Sequence, residues 1–345
     1  MKLSNIVLSL CSLAACFQVE IPSSYNQTTV AVNGKQYHYI DEGPRDGRVM
    51  VFLHGFPESW FMFKHQIKQV IDLGYRAVAL DMLGYGQSDS PEELVNYTYQ
   101  SITDDISSLL TQSVGVESAI FLGHDWGSIF MWHLAVKYPQ IIDGLISIAI
   151  PIFEPADINY KPKEHEVPDV QYQVSIANLN TTKYDTNIKD FISAFLQEDY
   201  KCLKMMTAAT PEVDIVEFNL ALPCNQKLAI DDNTLSYMIS QFSITGTKGP
   251  TSYYRTYELN QKETRATHFS IHVPTLYIKP EQQIEFALLK DANHKFIRNL
   301  TEKSIDGGHW SFLSHKQQVN TIIKEWLGSN FLNPLYHNIT AAPIN

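Results

Sequence analysis

Short blocks of unbroken apolar residues recur along the chain, separated by segments of helical length. Residues 28–39 differ: apolar and polar side chains alternate on both sides of Asn33-Gly34, which predicts a hairpin with a type I′ turn. The blocks 49–53, 77–80 and 119–122 are apolar throughout, and 144–150 and 273–278 are interrupted only by Ser147 and Thr275 among polar side chains, as expected of strands buried on both faces, and a last strand ends at 303–306. Helical spacing fills 60–73, 101–110, 128–138, 286–292 and 316–327. Strands alternating with helices predict an α/β fold with a mostly parallel sheet covered on both faces. The series stops after Pro151: residues 152–267 are richer in polar and aromatic side chains and lack such blocks. They are expected to form a mainly helical lid inserted between core segments 24–151 and 268–331, with 332–345 as a tail.

Composition adds limits. At 345 residues, 44% hydrophobic and 18% charged, the chain can bury a large core. A formal net charge of −11 argues against nucleic acid and anionic membrane surfaces as partners. No apolar run beyond the N-terminus is long enough for a transmembrane span. Residues 1–17 read as a secretory signal peptide: Lys2, an apolar stretch, then Ala14 and Ala15 before Cys16. The alternative is a lipoprotein box, Leu13 to Cys16, with the protein lipid-anchored through Cys16. Asn-x-Ser/Thr sequons at Asn26, Asn96, Asn180, Asn299 and Asn338 fit a secreted glycoprotein. Cys202 and Cys224 then remain, either as one disulfide or as two buried thiols. No spacing suggests a metal site.

The candidate chemistry centres on GHDWGS (123–128), a strand, a tight turn with small residues either side of Asp125, and an apolar helix. That is the nucleophile-elbow pattern, with a carboxylate in the reactive position. Serine attacking a saturated carbon would leave an inert ether. Aspartate leaves an ester, which water cleaves to regenerate the carboxylate. Asp125 therefore points to hydrolysis at an sp3 carbon. His309, late in the chain in DGGHW (306–310), stands in the right chain order for the general base that activates water. The ester oxygen needs backbone N–H donors, expected from Trp126 and from Phe56 in HGFPESW (54–60), where Phe56-Pro57 is a candidate cis bond.

With DMLGYGQSD (81–89) and GPTSYYRTY (249–257), these motifs span most of the chain, which resembles the α/β-hydrolase fold and specifically the epoxide hydrolases. The resemblance implies an Asp125 alkyl-enzyme ester, a vicinal diol product, no cofactor, and a small lipophilic epoxide and water as partners. It implies a lid tyrosine, Tyr254, as proton donor to the ring oxygen. Tyr172 falls in the region of a second lid tyrosine, although one register puts Ser175 there. Trp60 and Tyr172 are candidate substrate-binding residues. The family's third triad member is an acid shortly after the strand near Ile278, and Gln283 occupies that position; the other acid position falls near Ala149. Glu281 or Glu285 could supply the acid if the loop is shifted, with Glu281 the preferred candidate. The chain also resembles the haloalkane dehalogenases in Asp-Trp at the elbow, but Phe56 stands where one large group has a halide-binding asparagine. The missing acid leaves open a catalytically weakened relative that binds a ligand or a protein.

Overall fold

The computed structural model describes residues 25–152, 171–198, 213–222, 227–263, 270–283 and 292–331. The leader 1–17 with Cys16, together with Cys202, Cys224, Glu285, Asn338 and the tail, lies outside them. So do parts of the segment 152–267, and all of the expected helix 286–292 except Ala292.

The hairpin is formed by β1 (Gln27–Val32) and β2 (Lys35–Glu42). Asn33 and Gly34 turn between them at φ 49° and 82°, the two positive values that a type I′ turn requires. The apolar blocks become β3 (Val49–Leu53), β4 (Arg76–Leu80), β5 (Ala119–His124), β6 (Ile142–Ile148) and β7 (Thr275–Pro280). With β8 (Leu300–Ile305) they build one eight-stranded sheet in the order β1-β2-β4-β3-β5-β6-β7-β8. β2 runs antiparallel to β1 and β4, and every other pairing is parallel. The α/β architecture read from the alternation is the one the chain adopts.

Parallel neighbours need crossovers, and helices supply them. Their described members include α1 (Lys64–Asp72), α2 (Tyr99–Ser108) and α3 (Trp126–Lys137). A helix at Lys316–Asn330 packs on α1. β3 and β5 are buried along their whole length, which is why their sequences carry no polar alternation. β7 runs past the apolar block because Lys279 and Pro280 still pair with Ser304 and Ile305 of β8, a register that hydropathy cannot report. α3 begins at Trp126, earlier than its spacing suggested, since the elbow turns straight into it.

Between β6 and β7 the described elements are predominantly helical, the longest at Asp232–Thr245. They are fastened to the core at several points. Lys64 Nζ donates to Asp231 Oδ2 at 2.7 Å and to Thr234 Oγ1 at 2.6 Å, at the start of that long helix. The Tyr253 hydroxyl donates to the Leu83 carbonyl at 2.6 Å.

Candidate active site

In an open α/β sheet the carboxyl ends of the parallel strands face a common crevice, where loops can gather side chains from distant sequence. Here the loops after β3, β5, β7 and β8 deliver Phe56, Asp125, Gln283 and His309 respectively. Asp125 sits at φ 50°, a left-handed conformation that only a sharp turn imposes on a residue with a side chain. The turn closes because Gly127 has no Cβ; one placed there would overlap the Leu53 carbonyl. Gly55 gives the matching clearance opposite, where a Cβ would strike the Asp125 side chain.

The carboxylate is held from two sides. The Phe56 N–H donates to Asp125 Oδ1 at 2.8 Å, and the Trp126 N–H also hydrogen-bonds the carboxylate. Phe56-Pro57 is the cis peptide expected from the sequence. The other oxygen, Oδ2, lies 3.6 Å from His309 Nε2. Both side chains keep a small opening to solvent, 14% for Asp125 and 17% for His309. Burial is the main cause that raises the Asp125 carboxyl from 3.8 to about 6, with the Glu58 charge adding to it. The His124 charge and the two backbone donors pull the other way.

His309 is driven well below the usual histidine range, first by burial and then by the neighbouring His124, whose ring centroid is 4.6 Å away. A neutral imidazole is the form that can accept a proton. On its far side, Nδ1 lies 3.4 Å from Gln283 Oε1. Glu281, the expected acid, is exposed, and among the described residues it makes no ion pair with His309. The correction has a simple cause: β8 and its loop hold the backbone of 281 and 282, through Glu281 N–H to Ile305 O and Gln282 N–H to Gly307 O, both at 3.0 Å. Gln283 is thereby the residue carried to the imidazole.

Above Asp125, the Tyr254 ring meets Phe56 and Trp126 edge-on, each at 5.1 Å between centroids. Burial raises the Tyr254 hydroxyl well above its ordinary value, and the charge of Asp125 and then Tyr172 add to the rise. The phenol therefore keeps its proton beside the carboxylate. Tyr172, on the helix Gln171–Ala177, is close enough to act on Tyr254, while Ser175 of the same helix is buried. Phe195 and Phe191 pack against Phe56 at 5.0 and 5.8 Å, so the wall beside the carboxylate is aromatic.

Two candidates fall elsewhere. Trp60 is completely buried among Tyr25, Phe61 and Tyr237, a packing position with no face open to a ligand. Its apolar flank in the motif reads equally well as core, and core is where it lies. Ala149, at the other acid position, occupies a turn at φ 73° and offers no ionisable group.

The sequence reading missed a buried pair: Glu58 and His124, each inside one of the quoted motifs, meet beneath the elbow. His124 Nε2 donates to the His309 carbonyl at 2.9 Å while Nδ1 donates to Glu58 Oε1 at 2.6 Å, so both nitrogens carry protons. Burial lowers the His124 pKa, but the Glu58 carboxylate outweighs it and the net shift is upward. A second missed contact ties the His309 loop to the helices above, where Trp310 Nε1 donates to the Phe195 carbonyl at 3.1 Å.

A family model described as the alpha/beta hydrolase fold matches residues 48–316. Bifunctional epoxide hydrolase 2 of Mus musculus is 28% identical over 308 residues, which cover 87% of this chain and 55% of the mouse protein. This chain thus spans about half the length of that relative. Epoxide hydrolase 1 of Siraitia grosvenorii is 28% identical over 313 residues, 87% of this chain and 97% of that protein. Among solved structures, an epoxide hydrolase of Vigna radiata superposes with a TM-score of 0.71 at 26% identity, covering 88% of this chain and 98% of the other. Epoxide hydrolase A of Mycobacterium thermoresistibile shares the fold at a TM-score of 0.76 and 24% identity, over 88% and 98%.

Proposed function

Because the chain belongs to the α/β-hydrolase family, with an aspartate where the elbow presents its nucleophile, we propose that it hydrolyses epoxides to vicinal diols through an Asp125 ester. The observation that carries this reading is the setting of one carboxylate between a neutral imidazole and a protonated phenol. His309 Nε2 is 3.6 Å from Oδ2 on one side, and the charge of Asp125 acts on Tyr254 on the other. The relatives named epoxide hydrolase support the same substrate class.

In the proposed cycle Asp125 Oδ2 attacks an epoxide carbon. The ring C–O bond breaks toward oxygen, which takes the Tyr254 proton. Water then gives a proton to His309 Nε2 as its oxygen adds to the ester carbonyl carbon. The Phe56 and Trp126 N–H groups, already on the carboxylate, hold the oxyanion. Collapse expels the alkoxide, which takes the proton from His309 and leaves as the diol, while the proton left on the Asp125 carboxyl passes to solvent and replaces the one that solvent returned to Tyr254. Tyr172 stands beside Tyr254 as a second contact to the ring oxygen. Phe56, Phe191, Phe195 and Trp126 favour a lipophilic substrate.

We also read the protein as secreted and glycosylated: sequon residues Asn26, Asn180 and Asn299 are all exposed, where a glycan needs them. The deciding experiment for the reaction is diol formation from a lipophilic epoxide by the native chain and by Asp125→Ala. Diol from the native chain alone is the expected result, and full diol formation by Asp125→Ala would end this reading.

A further inference from the structure

Among the described residues, the side chain that meets His309 Nδ1 at hydrogen-bond distance is an amide. Gln283 Oε1 lies 3.4 Å from Nδ1, at the long end of a hydrogen bond. Among the described residues no carboxylate reaches that nitrogen. Glu281 is exposed, and Asp306 is exposed and accepts from Gln282 Nε2 at 2.7 Å. The placement is built into the sheet. Gln283 follows β7 directly, its N–H donating to the Pro280 carbonyl at 3.3 Å, while Gln282 is bonded to Gly307 of the His309 loop at 3.0 Å.

We propose that Gln283 is the positioning residue of His309, a neutral one, and that its neutrality makes breakdown of the Asp125 ester the slow half of the reaction. The protein then holds an epoxide as a long-lived covalent ester and releases diol slowly. This rests on the epoxide reading above and goes beyond it.

The two halves differ in what they ask of Nδ1. Ester formation joins Asp125 Oδ2 to carbon and transfers the Tyr254 proton to the ring oxygen, after which water reprotonates the phenolate; His309 carries no charge throughout. Ester hydrolysis moves a proton from water to Nε2, so a cation forms with its Nδ1–H aimed at Gln283. An amide oxygen orients that N–H but brings no negative charge to balance the imidazolium. Replacing a triad aspartate by its amide in a serine protease lowers kcat on the order of 10⁴-fold. His124 works in the same direction, since its ring lies 4.6 Å from His309 and both of its nitrogens carry protons. Nothing comparable burdens the first half, where the nucleophile, its backbone donors and the phenol are all in place.

The test mixes the purified full chain with excess styrene oxide, follows diol by chromatography, and follows ester by intact mass after acid quench. The native chain should show a burst approaching one ester per protein, mapped to the peptide containing Asp125, and then slow linear diol release. Gln283→Asp should raise the steady rate roughly a hundredfold and empty the ester pool, moving the burst rate far less. It should also give the steady rate a new pH dependence as the introduced carboxyl ionises. Diol release without accumulated ester in the native chain would overturn the inference while leaving the epoxide reading intact, and that measurement requires no variant to fold. Loss of ester hydrolysis in Glu285→Gln, with Gln283→Asp no faster than native, would also overturn it. Neither ester nor diol from the native chain would overturn the epoxide reading itself.

Discussion

Glu58 and His124 meet beside the Asp125 turn at 2.6 Å, with neither side chain open to solvent. A buried pair of this kind is costly to break from one side, about 3–5 kcal/mol, because the surviving partner is left uncompensated. Glu58→Gln should therefore lower unfolding free energy by about that amount, measured by denaturant titration. Its pH signature follows from the sign of the shift. The His124 pKa is raised in the folded protein, so its contribution to stability is fully present below the unfolded value of about 6.5 and is lost as pH rises through the folded one. That pH dependence should vanish in Glu58→Gln. With His124 neutral, the pKa of His309 should also rise, shifting the acid limb of ester hydrolysis upward.

Ester formation should report the carboxyl directly. In the proposed reaction Asp125 must be ionised to attack, and burial pushes its carboxyl up to about 6. The burst rate should fall tenfold per pH unit below about 6. It should stay flat on the alkaline side through pH 9, because the Tyr254 hydroxyl is raised well above its ordinary value and keeps its proton. A burst rate still rising between pH 8 and 9 would contradict the assignment.

The same carboxyl weakens the fold that carries it. A folded-state pKa raised from 3.8 to about 6 means that ionised Asp125 costs stability as pH climbs through that window. A shift of about two pH units corresponds to roughly 3 kcal/mol, an upper bound for a side chain that retains some solvent. Asp125→Asn should be the more stable protein by about 1–3 kcal/mol at pH 8, with the difference gone below about pH 4. Thermal unfolding across that range measures it.

Tyr254→Phe preserves the ring that packs on Phe56 and Trp126 and removes only the proton. Ester formation should slow by about 10²–10⁴-fold, the usual share of a general acid. Tyr172→Phe should cost less, since it leaves the donor in place. Single-mixing measurements of the burst separate the two variants.

Gly127→Ala puts a methyl against the Leu53 carbonyl. Neither β3 nor the start of α3 can retreat from a buried sheet, so this change should remove several kcal/mol and most soluble protein. Yield and melting temperature are the readouts.

Much of this was legible in the chain. The sheet could be read because strands buried on both faces are apolar along most of their length, and the elbow because its turn needs Gly123 and Gly127 two positions either side of Asp125. The β1–β2 turn could be read because Asn33-Gly34 suits two positive φ values. The site's second layer could not. Glu58 and His124 each look like ordinary polar residues inside a motif, and only the sheet order, which sets β3 beside β5, brings them together. Trp60 misled for the opposite reason: an aromatic residue in a functional motif has no sequence mark that separates a pocket wall from core. Glu281 misled because charge alone favoured it, while the pairing of β7 with β8 decides which side chain the loop delivers.

The unequal grip on the Asp125 carboxylate has a consequence of its own. Oδ1 is bonded to the Phe56 N–H, whereas Oδ2 faces His309. In the proposed cycle Oδ2 leaves with the diol, and an oxygen atom from water takes its place on the side chain. One oxygen of this aspartate is a permanent resident and the other a consumable, renewed from solvent at every turnover. In heavy-oxygen water the first diol released should carry no label, and the protein itself should grow heavier by a single atom's exchange.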